Sequence, residues 1–262
     1  MKKSPYPLRN ASASELKQIR GVCLDIDETL STKGKLTAEA YSALWKLKKA
    51  GFAVVPVTGR PAGWCDHIAR FWPVDAVIGE NGAFAFFMRK GVRHRLETPA
   101  GAPAATRKRE LALLAKKIRK KFSEARWASD QAYREFDLAI DIREDVRAWP
   151  ASRVNALLSF CHDQGAHAKL SSIHVNTWYG DYDKHGGLKH WLSKTPKMPA
   201  WNQWLFIGDS PNDEPLFAAF KYSVGVANLG KYLDRIKHPP RWITSRESGA
   251  GFTELVNRLY RS

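Results

Sequence analysis

The sequence predicts an α/β protein, a three-layer core built on a parallel sheet and interrupted by an inserted α+β unit. Three observations carry that reading. Up to residue 86, apolar runs of strand length alternate with amphipathic helical stretches, and each run enters a polar loop containing glycine. Near Phe87 the pattern changes to alternating strands and a basic helix, and from Asp183 the first pattern returns. Strands that are apolar throughout are buried on both faces, as in parallel sheets, whereas alternating strands keep one face wet. The expected division is therefore a core of residues 1–86 and 183–262, with 87–182 inserted.

The elements follow in order. A polar lead-in with a short helix at 14–19 precedes a strand at Gly21–Leu24. Thr37 is the expected N-cap of a helix through Lys49, with Leu36, Ala40, Leu44 and Leu47 on one face. Gly51 ends it. A second strand at 52–57 runs into Thr58-Gly59-Arg60-Pro61, a helix covers 64–71, and a third strand at 76–78 reaches Glu80-Asn81-Gly82. Right-handed crossovers wind such a β-α-β-α-β run into a parallel sheet, with its polar loops on one edge.

In the insertion, Met88-Arg89-Lys90-Gly91 reads as a hairpin turn and 99–103 as a loop. A strongly basic helix at 106–126 carries Leu111, Leu114, Ala115, Ile118 and Phe122 on its apolar face. Its lysine face is either simply solvated or binds anions. A half-buried strand is expected at 136–142, a helix at 151–161, and strands at 166–170 and 172–178. After Asp183, Lys184 opens a helix with Leu188, Trp191 and Leu192 inward. A strand at 204–207 then ends in Gly208-Asp209-Ser210-Pro211-Asn212-Asp213, followed by a helix at 214–220 and a strand at 222–226.

Length and composition narrow the function classes. At 262 residues and 44% apolar content the chain can bury a substantial core, and no run approaches the roughly 20 apolar residues of a spanning helix. Lysines near the start lack an apolar stretch behind them, so the expected location is cytoplasmic, with no membrane partner. Cys23, Cys65 and Cys161 form no CxxC pair, which suits buried thiols in a reducing compartment. The net charge of +16 points to nucleic acid, an anionic membrane or small phosphorylated substrates. The excess is spread, +7 within 87–182 and +9 outside it, which argues against a single nucleic-acid groove.

The chemistry concentrates at Asp25 and Asp27, two acids at the end of an apolar strand. Unpaired carboxylates there are hard to explain as packing, because burying each costs several kcal/mol. Taken in order, Asp25-x-Asp27-x-Thr29, Thr58-Gly59-Arg60, Lys184 and Gly208-Asp209-x-x-Asn212-Asp213 resemble the four motifs of the haloacid-dehalogenase superfamily, across residues 21–260. The long insertion after the third strand, with only a short flap after Asp27, is similar to the type IIB, Cof-like branch of sugar-phosphate phosphatases and phosphomannomutases.

That resemblance implies a Rossmann-like core with an α/β cap over the active site. It implies Asp25 as nucleophile, since attack on a phosphoryl group needs an anionic oxygen. Asp27 protonates the leaving alcohol and then activates water. Two anions meet only across a cation, so Mg²⁺ is expected on Asp25 and Asp209, with Asp213 direct or through water and the Asp27 backbone carbonyl as a further ligand. Thr58, the Gly59 backbone, Lys184 and Asn212 are expected on the phosphate. Asn81 either contacts substrate, orients Asp25 or only makes a turn. Arg60 either binds phosphate or, as the preferred reading, makes an outward ion pair. His174, Asn176 and Trp178 share a strand face that meets a sugar or faces solvent.

The expected activity is Mg²⁺-dependent hydrolysis of a small phosphomonoester, a sugar phosphate, through an aspartyl-phosphate. The alternative is a sugar phosphomutase. Its family carries an arginine-rich cap signature, and here only the scattered Arg126, Arg134 and Arg143 are available. A third reading is a nucleic-acid-directed phosphatase or binding protein that uses the basic helix. One departure stands out: Glu28 occupies a position where the branch usually has glycine, so a slightly different flap turn is expected.

Overall fold

The computed structural model describes residues 4–99 and 103–260. The expected loop at 99–103 therefore lies largely outside the described residues. The core is a six-stranded sheet, every neighbouring pair of which is parallel, in the order β1-β13-β12-β11-β2-β3. Its strands are β1 (Tyr6–Pro7), β2 (Gly21–Leu24), β3 (Ala53–Pro56), β11 (Trp204–Gly208), β12 (Tyr222–Gly225) and β13 (Trp242–Ile243). The adjacent interior strands β2 and β11 are buried throughout, as their apolar runs predict.

Alternate residues of β2 serve opposite faces. Val22 and Leu24 pack with Leu44 of α2 (Ala38–Lys49) and with Phe252 and Leu255 of α8 (Ser248–Tyr260), while Cys23 joins the opposite layer. Thr37 caps α2 as predicted, accepting from the Ala40 N–H at 3.3 Å. Leu36 precedes the helix and is exposed, so it is not part of the apolar face. The other face carries α6 (Lys184–Lys194) and α7 (Glu214–Ala219).

The third strand departs from expectation. β4 (Val77–Gly79) touches β3 through one parallel bridge, Val57 to Ile78, and otherwise pairs antiparallel with β5 (Phe84–Arg89), which pairs with β6 (Val92–Glu97). The hairpin turn at Lys90-Gly91 is present, with both residues at positive φ. Residue 87, where the boundary between core and insertion was expected, thus lies inside a continuous strand that packs on α3 (Ala62–Phe71).

Beyond it, α4 (Ala104–Lys121) and α5 (Ala151–Asp163) cover an antiparallel sheet in the order β7-β8-β10-β9. Its strands are β7 (Arg126–Trp127), β8 (Leu138–Asp141), β9 (His167–Leu170) and β10 (His174–Trp178). The basic helix ends before 126, because Phe122 turns in against Trp149 and Phe160 and Arg126 pairs in register with Asp141. Both β8 and β10 are buried along their whole length, not half-buried. Helices cover one face, and the other lies against core loops.

All three cysteines are free and buried. Among the described residues no helix is long and apolar enough to cross a membrane.

Candidate active site

The carboxyl ends of β2 and β11 meet in the centre of the sheet, and the residues following them converge. Asp25 continues the ladder, its N–H donating to the Ile207 carbonyl at 2.9 Å. Asp209 follows β11. Asp213 sits one turn on, and its Oδ2 accepts from the backbone N–H groups of Asp209 (3.0 Å) and Ser210 (3.2 Å). One carboxylate oxygen from each of Asp25, Asp209 and Asp213 lies within 4.8 Å of the others, and all three residues are buried. Lys184 donates to Asp25 Oδ1 and to Asp213 Oδ1, each at 2.6 Å.

Lys184 gets there by backbone construction. Asp183 caps α6, accepting from the Gly186 N–H at 2.7 Å, so Lys184 is the first helical residue. The Glu80-Asn81-Gly82 turn docks on that helix start. A Cβ on Gly82 (φ 108°) would lie 1.9 Å from the Asp183 carbonyl oxygen, and one on Gly187 would lie 2.4 Å from the Gly82 oxygen. Only glycines allow this approach, which carries the ammonium to the end of β2.

Fully ionised, three carboxylates against one ammonium would leave two negative charges in excess in a buried space. Burial pushes Asp25 up to about 7, with Lys184 pulling back and Asp213 and Asp27 pushing further. Asp209 is driven well above the usual carboxylate range by burial and by Asp25 and Asp213. Burial alone would lower Lys184, but its two carboxylates outweigh that and raise it. Asp209 Oδ2 accepts from Asn228 Nδ2 at 3.3 Å, while its Oδ1 is buried with no partner among the described residues. An orphaned oxygen, three convergent acids and a two-charge deficit fit a hard divalent cation.

Asp27 is not in this trio. Its carboxylate is clamped by Arg60, with Nε at 3.0 and 2.9 Å from the two oxygens and Nη2 at 2.7 Å from Oδ1. The outward ion pair expected for Arg60 is instead an inward, buried one. The same guanidinium reaches Asp130 (3.2 Å) and Glu144 (2.7 Å) of the inserted unit and lies 4.5 Å from the Trp64 ring centre. Thr58 is fully buried; its Oγ1 accepts from the Arg60 N–H at 3.0 Å, leaving the hydroxyl proton free to donate. Thr29 is also fully buried, its Oγ1 without a partner among the described residues. Asn212 is buried, with Oδ1 accepting from Ser210 Oγ at 2.8 Å.

Two residues expected at substrate are instead brought together on Asp137. Asn176 donates to Asp137 Oδ2 at 2.8 Å, and Asn81 reaches the same oxygen at 3.5 Å. Arg134 adds a bond to each Asp137 oxygen and one at 2.8 Å to the Gly59 carbonyl. His174 pairs with Glu144 at 2.8 Å. Trp178 is 1% exposed, stacks between His167 and Tyr182, and donates its N–H to the Tyr182 carbonyl. Its place is in the apolar packing, because the strand face that offers it is pressed onto the core.

Glu28 adopts φ 56°, the left-handed conformation that the usual glycine would take. Its carboxylate holds the flap, accepting from the Gly34 N–H and from Ser248 Oγ, both at 3.3 Å. The expected change in the flap turn is thus absorbed by side-chain bonds. Sequence reasoning missed Asn228, which bridges Asp209 and the Glu28 carbonyl. It also missed the buried Glu80 carboxylate, which accepts from the N–H groups of Ala62, Glu135, Phe136 and Asp137. Glu80 was legible only as part of a turn, and a lone asparagine at 228 carries no pattern.

Comparison with known proteins points one way. A family model described as haloacid dehalogenase-like hydrolase matches residues 22–98. Phosphoglycolate phosphatase 1 of Saccharolobus solfataricus is 25% identical over 251 residues, 93% of this chain and 96% of that protein. The fold is shared with the HAD subclass IIB sugar phosphatase BT4131 (TM-score 0.65, 12% identity, 92% of this chain and 99% of that one). It is shared too with the sucrose-phosphatase of Synechocystis, solved with sucrose and phosphate (TM-score 0.62, 16% identity, 93% and 98%).

Proposed function

We propose that this chain, which is similar to the haloacid dehalogenase-like hydrolases over residues 22–98 and to a phosphoglycolate phosphatase along its length, is a phosphatase of that kind that hydrolyses a small phosphomonoester of the sugar-phosphate class through an aspartyl-phosphate, with Mg²⁺ as cofactor. The observation that carries the reading is the buried trio of Asp25, Asp209 and Asp213 against the single Lys184, with one carboxylate oxygen left unbonded. A fold does not strand charge in this way without a use for it.

Asp25, Asp209 and Asp213 would hold the cation, with the Asp27 backbone carbonyl as a further ligand. When bound, Mg²⁺ neutralises the approach of phosphate to Asp25 and the charge on the phosphoryl oxygens. Asp25 attacks phosphorus as the ester P–O bond breaks, and Asp27 gives its proton to the leaving alcohol. Asp27 then takes a proton from the water that cleaves the aspartyl-phosphate, regenerating Asp25 and releasing phosphate. Lys184 fixes a positive charge beside the reacting oxygens, and the Thr58 hydroxyl donates to the phosphoryl group. Arg60 holds Asp27 in place. Its bonds to Asp130 and Glu144 tie that grip to the inserted unit, which acts as a cap excluding bulk water.

The deciding experiment is phosphate release over a panel of sugar phosphates, with Mg²⁺ and with EDTA. Release that needs Mg²⁺ is expected; undiminished release in EDTA overturns the reading. Isomerised product that requires a bisphosphate activator would instead establish the mutase alternative.

A further inference from the structure

The cleft over Asp27 carries positive charge at its mouth that the reacting groups do not use. It encloses ≈ 410 Å³ between the core and the inserted unit. Lys33 and Lys35 line it from the flap, Lys231 from the turn after β12, and Arg143 from the loop after β8. All four are exposed, and among the described residues none has a carboxylate within ion-pair distance.

The acids of the same cleft are already committed. Asp27 and Glu144 are bound to Arg60, and Glu28 holds Gly34 and Ser248. The flap that presents the two lysines is itself built to a fixed shape. Lys33 and Gly34 have φ 49° and 71°, a two-residue turn closed by paired backbone bonds between Thr32 and Lys35 at 2.8 and 3.0 Å. A second observation comes from the opposite wall. Ser172 lines the cleft at 3% exposure, and its Oγ has no hydrogen-bond partner among the described residues. Buried hydroxyls are nearly always bonded, so the unbonded hydroxyl of this wall residue has a hydrogen bond to give.

We propose that this mouth is a subsite for a second anionic group, a carboxylate or a phosphate, at the end of the substrate remote from the scissile phosphoryl. The proposal rests on the phosphomonoesterase reading above and narrows its substrate class. A neutral sugar would leave four converging cations without a counter-charge. An anionic head answers all four and takes a hydrogen bond from Ser172.

The test measures kcat/KM for ester pairs matched in size and differing in the remote group: glycerol 3-phosphate against 3-phosphoglycerate, and fructose 6-phosphate against fructose 1,6-bisphosphate. The first pair reads a carboxylate and the second a phosphate. A preference of about tenfold or more for the anionic member of at least one pair is expected, carried in KM and shrinking as ionic strength rises. The double variant Lys35→Ala/Arg143→Ala, and separately Ser172→Ala, lower that preference several-fold, while Lys108→Ala on the remote face of α4 leaves it unchanged. Equal efficiency within both pairs overturns the inference while leaving the phosphatase reading standing, as does a preference that survives in the double variant. Absence of Mg²⁺-dependent release from every ester overturns the reading and the inference together.

Discussion

Two clusters of buried charge lie side by side in this molecule, and they are completed differently. At the seam between core and inserted unit, Glu80 receives four backbone N–H groups, Asp137 receives Arg134 and Asn176, and Arg60 spans Asp27, Asp130 and Glu144. There the fold supplies a partner to each group just named, and the neighbouring Asn81, which reaches Asp137 through its Nδ2, keeps an unbonded Oδ1. At the centre of the sheet, three acids share one lysine and Asp209 keeps an oxygen with no partner. Buried charge costs the same in either place. The seam balances that cost with protein groups and is a joint, whereas the centre leaves it unbalanced, as the cation and phosphoryl site proposed above requires.

The comparison breaks most sharply at Asp25. Asp25→Asn should lower phosphate release by about 10⁴-fold or more while circular dichroism stays unchanged, because it removes the proposed nucleophile while its amide oxygen can still accept from Lys184. Appreciable turnover in that variant would reassign the nucleophile.

Next in size are two charge deletions that separate centre from seam. Lys184→Met and Arg134→Met should each cost about 3–5 kcal/mol in denaturant unfolding, since each strands buried carboxylates. Added Mg²⁺ should restore much of the Lys184→Met loss and none of the Arg134→Met loss. Equal rescue of both would erase the distinction drawn between the clusters.

Acid should act on the seam through Glu144. Burial alone would raise its carboxyl, but the His174 bond and Arg60 outweigh that and hold it at about 2, against an ordinary 4.5. A carboxylate with a depressed folded-state value stabilises the fold above its unfolded value and loses that contribution as pH falls. The window is therefore pH 4.5 down to 2, and the loss, discounted because solvent screens this half-buried group, is about 1–2 kcal/mol. Glu144→Gln should flatten the stability profile in that window relative to the parent chain; parallel profiles would remove Glu144 from the joint.

The smallest effect is expected at Trp178. Trp178→Phe should cost about 1–2 kcal/mol of stability through lost packing and its N–H bond, with KM for any hydrolysed ester unchanged within twofold. A large rise in KM would return this residue to the substrate.

Much of the centre was legible in the chain because its signals are local. The run Gly21–Leu24 before Asp25, the cap of α2 at Thr37, and Lys184 at a helix start each depend on residues within one or two turns of one another. The seam was not legible. Arg60 finds Asp130 and Glu144 at separations of 70 and 84 residues, and no local pattern distinguishes an arginine that will turn inward from one that will not. For the same reason β8 and β10 looked half-exposed. Asp137 just before β8, Asp141 within it, and His174 and Asn176 of β10 face the core or their own loops, and polarity alone cannot tell a wet face from a buried bonded one. The β5–β6 hairpin read as the start of the insertion because its pairing to β4 is a tertiary fact.

What the sequence determined by itself was the order of the chemistry: two acids after β2, a threonine after β3, a lysine opening a helix and two acids after β11. These are fixed by periodicity, capping and spacing, all of which act over a few residues. The tertiary structure decided how the charges are shared. It drew Lys184 onto Asp25 and Asp213 through the glycine contact at Gly82, and it turned Arg60 inward to clamp Asp27. It also left Asp209 with a bare oxygen. Those outcomes follow from distance and burial between segments far apart in the chain, and such quantities exist only once the chain has closed on itself.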